Sequence, residues 1–142
     1  MAAGKYNFVV EQGTQHDVDF RYKLASGSYE DLSPIAIDGV STSWKIQITV
    51  KDHITDTAYV YRATSNGTAD AAFKEPHLSG VNEHFTIAAD QVEDKGKFSL
   101  SIDNNTTELF TFNQGVYDLV LIAPDGTTTK ILEGKFKIKL SV

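Results

Sequence analysis

The sequence predicts an all-β fold, a β-sandwich of eight to ten short strands with at most one short helical segment. Two observations predict it. Apolar residues recur at a spacing of two along most of the chain, where a helix would space them at 3.6. Clusters of Gly, Pro, Asn and Asp break these runs at short intervals, as turns between antiparallel strands do. A chain of 142 residues fits one domain, 1–142, large enough to bury roughly two thirds of its unfolded surface.

The strands follow in order. Tyr6, Phe8 and Val10 alternate until Glu11-Gln12-Gly13 interrupts them. Val18, Phe20, Tyr22 and Leu24 alternate with Asp17, Asp19, Arg21 and Lys23, the pattern of a strand with one wet face. Ser26-Gly27-Ser28 is a turn, and Ile35 and Ile37 form a short strand that Asp38-Gly39 ends. Trp44, Ile46, Ile48 and Val50 make the next strand, which a segment at Tyr59, Val60 and Tyr61 continues as a hairpin. Residues 66–80 lack periodicity and read as a long loop with a helical turn near residues 69–73; such loops are usually functional or mobile. Phe85 and Ile87 mark one more strand, and Phe98, Leu100 and Ile102 another. Asn105-Thr106-Thr107-Glu108 has the form of a helix N-terminal cap and opens a turn over residues 108–112.

The last hairpin is the best patterned. Tyr117, Leu119 and Leu121 share one face, which predicts a core position. Val116, Val120 and Ile122 make the other face apolar too, so this strand should lie centrally and be covered on both sides. Pro124-Asp125-Gly126 supplies the turn. The return strand sets Phe136, Ile138 and Leu140 against Lys135, Lys137 and Lys139, and Gly134 reads as a backbone constraint or bulge.

Composition excludes some functions. Hydrophobic content of 41% and aromatic content of 11% support a real core. A net charge of −6 argues against a sequence-independent grip on nucleic acid or anionic lipid. There are no cysteines, hence no disulfides or thiolate metal ligands. The N-terminus lacks a signal-peptide apolar run, and no stretch approaches the roughly 20 apolar residues that span a bilayer. The expectation is a soluble chain that folds in the cytoplasm.

Chemical motifs are scarce. His16, His53, His77 and His84 have no metal-ligand spacing and read as dispersed surface side chains; no metal or other cofactor is expected. Asp52-His53-Ile54-Thr55-Asp56 reads as a polar hairpin turn, because it lacks the oxygen-ligand density of a Ca²⁺ loop. Asp17 and Asp19 keep a strand face wet and discourage edge pairing. Trp44 reads as a core anchor, with exposed carbohydrate stacking as its alternative. Tyr59, Tyr61 and Phe73 read equally well as packing or as interface aromatics.

An ordered set of short pieces adds a resemblance. Tyr6-Asn7-Phe8 leads into Glu11-Gln12-Gly13, and a Trp44-Lys45-Ile46-Gln47-Ile48 strand follows an Asp-Gly turn. Gly96-Lys97-Phe98, Phe110-Thr111-Phe112, Gly115-Val116-Tyr117-Asp118-Leu119, Pro124-Asp125-Gly126 and Leu132-Glu133-Gly134 come later. Nearly end to end, this set resembles a family of short structural proteins of tailed bacteriophages, itself similar to the N-terminal domain of upper baseplate proteins. The resemblance implies an immunoglobulin-like sandwich in a virion, a tail, baseplate or fibre-adaptor component acting by assembly and not an enzyme. Its implied partners are other phage structural proteins (baseplate, tail or capsid subunits) in many copies, with a homo-oligomer compatible. The implied location is the virion, assembled in the host bacterial cytoplasm. A capsid decoration protein of the same fold is one alternative, and a carbohydrate-binding module for host surface glycans is another. The candidate interface is the strand over residues 6–10, with Tyr6, Phe8 and Val10, together with the loop over residues 66–80 and the nearby Tyr59, Tyr61 and Phe73.

Overall fold

The computed structural model describes residues 4–24, 26–53, 55, 60–65, 84–108, 110 and 113–139. Tyr59, Phe73, His77, Leu140 and the loop over residues 66–80 lie outside them. Eleven strands and one helix are described: β1 (Gly4–Lys5), β2 (Phe8–Glu11), β3 (His16–Arg21), β4 (Ile35–Ile37), β5 (Val40–Thr42), β6 (Lys45–Lys51), β7 (Tyr61–Thr64), β8 (Phe85–Ile87), β9 (Lys97–Ile102), α1 (Asn104–Glu108), β10 (Gln114–Ile122) and β11 (Thr128–Lys139). The fold is all-β and sandwich-like. Its larger sheet runs β7-β6-β10-β11, with β1 and β2 sharing the outer edge of β11; its smaller sheet is β3-β9-β8. Among the described residues no helix is long and apolar enough to cross a membrane.

Strand parity explains the two layers. From the larger sheet, Phe8, Val10, Ile46, Ile48, Val50, Tyr61, Tyr117, Leu119, Phe136 and Ile138 point inward and are buried. Phe85, Phe98, Leu100 and Ile102 close over them from the smaller sheet. Aromatic rings lock the middle: Phe8 meets Tyr117 at 4.9 Å and Phe136 at 5.5 Å between centroids. Each such side chain stabilises the fold by about 1.5–3 kcal/mol on burial.

Four expectations change. The apolar outer face of β10 lies under no second layer among the described residues. Instead Val116 stands between Lys51 and Lys135, and Val120 between Gln47 and Lys130, so neighbouring aliphatic stems half-bury them. β10 is nonetheless central, between β6 and β11. Asp38-Gly39 does not end a lone strand; with φ of 51° and 81° it turns β4 into β5, a hairpin that pairs with neither larger sheet. The helix starts earlier than expected, because Asp103 caps it: its Oδ1 accepts the Thr106 N–H at 2.8 Å. Two histidines are not surface residues. His16 is half-buried against Phe8 at 6.1 Å, and His84 Nδ1 lies 2.6 Å from the Tyr61 hydroxyl.

Candidate interaction surfaces

The predicted interface residues separate. Phe8, Val10 and Tyr61 are fully buried, so they are core side chains and not contact residues. The physical reason is parity: β2 pairs with β11 in register, which turns Phe8 and Val10 inward beside Phe136 and Ile138. Tyr6 and Val9 are the exposed side chains of this edge, at 44% and 57%.

Three short sequence pieces, Tyr6-Asn7-Phe8, Gly115-Val116-Tyr117-Asp118-Leu119 and Leu132-Glu133-Gly134, meet at the break between β1 and β2. The Tyr6 N–H donates to the Glu133 carbonyl at 3.1 Å. The Tyr117 hydroxyl donates to the Tyr6 carbonyl at 2.5 Å, and burial holds that hydroxyl well above the usual tyrosine range. Asn7 Oδ1 accepts the Lys135 N–H at 3.0 Å. Gly134 lets the backbones approach this closely, because a Cβ there would overlap the Tyr6 carbonyl oxygen. The register shift in the hairpin falls elsewhere, between Leu119 and Val120. Gln12 ties down the next piece, donating to the Glu108 and Phe110 carbonyls at 3.3 and 3.2 Å. These residues latch the N-terminal strand; their role is architectural.

Outward from the latch, the larger sheet presents a basic face. Lys135, Lys137 and Lys139 form a ladder on β11, and Lys45, Lys51 and Arg62 stand on the same face of β6 and β7. Lys5 and Lys130 pair there with Glu133 at 3.1 and 3.6 Å, and these contacts hold the Glu133 carboxyl below its usual range. Parity gave away the three ladder lysines. The gathering of the others required the register of five strands.

The β4–β5 hairpin is a second surface. Ile35 and Val40 are 47% and 66% exposed, and both stand on its one apolar face with Ile37. An isolated two-stranded hairpin is marginal in water. The sequence signal for it was the Asp-Gly turn that follows the short apolar run of Ile35 and Ile37.

No protein-family model matches the chain, and none of the curated proteins compared with it is similar enough to count as a relative. Trp44 is 9% exposed and contributes to the core, so it offers no open ring for sugar stacking. A cleft of about 240 Å³ opens beside the stacked rings of Phe20 and Phe98, smaller than the roughly 300–1,000 Å³ usual for a small-molecule site. Among the described residues, no three His, Asp or Glu side chains gather where a metal could bind. Asp52 and His53 are on the surface turn after β6, half-buried and exposed; Asp56 lies outside the described residues.

Proposed function

We propose that this chain is a structural subunit of a tailed-phage virion, a tail, baseplate or fibre-adaptor component that acts by docking to other subunits in many copies. The observation that carries the assembly role is the β4–β5 hairpin. It leaves Ile35 and Val40 exposed, apolar side chains that a partner would cover. The strand order supports an immunoglobulin-like module: β3-β9-β8 faces β11-β10-β6-β7, and the first strand pairs parallel with the last. The phage context rests on the ordered motifs of the sequence. Copy number would let modest contacts add up.

The test is direct. Purified virions of the phage encoding this chain are analysed by mass spectrometry and cryo-electron microscopy, and density for the sandwich is expected at the tail tip. Density on the head would instead make it a capsid decoration protein. Absence of the chain from the virion would sink both forms.

A further inference from the structure

The charge of this protein is sorted unevenly. Its net charge is −6, yet eight of its 13 basic side chains stand on the outward face of the larger sheet. Among the described residues of these strands, Glu11, Asp118 and Glu133 share that face with them. Asp118 and Glu133 are engaged with Lys5 and Lys130, whereas Lys135, Lys137 and Lys139 have no ion pair among the described residues. Successive residues on one strand face are about 6.6 Å apart, so the three ammonium groups form a short, regular row. Such a row raises the local potential; Glu11 stands across from Lys139, while Lys135 and Lys137 have no acidic cross-strand partner.

We propose that this face docks a carboxylate-rich surface of a different protein subunit. The inference builds on the assembly reading and names the chemistry of the partner. Two alternatives fit the face less well. A nucleic-acid duplex carries about one charge per 1.7 Å. It would run past a face only about 24 Å wide, five strands at about 4.8 Å each, and meet the acidic remainder of the chain. A bounded acidic patch avoids that repulsion. The opposite sheet of a second copy is a poor complement, because the outward face of the smaller sheet mixes Asp17 and Asp19 with Arg21 and Lys97. The row is also built from lysines, which act as point charges without the bidentate fork that favours phosphate. A face of roughly 24 by 23 Å buries less than the ~800 Å² per partner of a standard interface. Each contact is therefore weak, salt-sensitive and dependent on repetition.

The experiment titrates the full chain with labelled poly-L-glutamate at low salt, and separately with a labelled DNA duplex. Binding to poly-L-glutamate is expected, falling steeply as salt is added. The variant Lys135→Glu/Lys137→Glu/Lys139→Glu replaces exposed side chains and should keep the wild-type circular dichroism. Its binding should weaken on the order of a hundredfold, since each change removes an attraction and adds a repulsion. Lys23→Glu/Lys95→Glu, off this face, should stay within about twofold of wild type. Absent binding, or a triple variant that binds as well as wild type, overturns the proposal. Tighter binding of the duplex assigns the face to nucleic acid and overturns it too. So does salt-sensitive self-association in sedimentation that the triple variant loses. A chain absent from virions that still binds poly-L-glutamate through these lysines refutes the virion reading and leaves this face standing.

Discussion

Replacing Gly134 by alanine should loosen the N-terminal strand without touching the core. A Cβ at this position overlaps the Tyr6 carbonyl oxygen and comes within 2.9 Å of Asn7 Oδ1. To admit it, residues 6 and 7 must move away from β11. Three hydrogen bonds depend on their position: Tyr6 N–H to Glu133, Tyr117 hydroxyl to Tyr6, and Lys135 N–H to Asn7. At about 1 kcal/mol each, the loss is about 3 kcal/mol. For a chain of this size that corresponds to a fall in Tm of about 6–12 °C. Urea denaturation monitored by circular dichroism measures the first quantity, and hydrogen exchange of the β2 amides should accelerate with it. Tyr117→Phe alone should cost about 1–2 kcal/mol. Because both changes act through Tyr6, the double variant should be less destabilised than the sum by about 1 kcal/mol. Wild-type stability for Gly134→Ala, or strict additivity in the cycle, would refute the latch.

Three further outcomes are expected. Burial holds the pKa values of His16 and His84 below the ordinary 6.5, against smaller opposing effects of Asp17 and Asp103. The unfolded chain therefore binds more protons once pH drops below 6.5, so stability present at about pH 7.5 should decline by about pH 5.5; His84→Gln should flatten that slope, and an unchanged slope would exclude His84. The sole tryptophan, Trp44, is buried, so its emission should be blue-shifted, resist acrylamide and ignore added oligosaccharides; a saccharide-dependent spectrum would restore the carbohydrate reading. Asp103→Ala removes the cap of α1 and should cost about 1 kcal/mol in urea melts.

What could be read from the sequence was what depends on neighbours along the chain. Alternation placed Phe8, Ile46, Leu119 and Phe136 on inward faces because side-chain direction is a property of the local backbone. The same parity sets Phe8 and Val10 inward, but only the pairing of β2 with β11 shows that the inward face meets a core. The basic face was hidden for the same reason, since it is assembled from strands distant in sequence. The Asp-Gly hairpin was within reach of local reasoning: both turn residues were visible, and the short, exposed β5 was the part that lacked a core pattern. The latch at Tyr6 was visible as motifs, while its geometry was not.

The pairing of β2 with β11 joins residues 128 apart in the chain, as the Asn7 and Lys135 contact records. Closing so large a loop carries an entropic cost that must be met before the contact stabilises anything, which favours slow folding. On the ribosome, Phe8 and Val10 emerge before β11 and stay without their partners until Phe136 and Ile138 follow. During that interval the nascent chain displays an apolar strand with an open edge, the kind of segment that chaperones protect and that aggregates when they do not. Production of this protein should therefore respond more to the rate of translation and to chaperone supply than its finished stability would indicate.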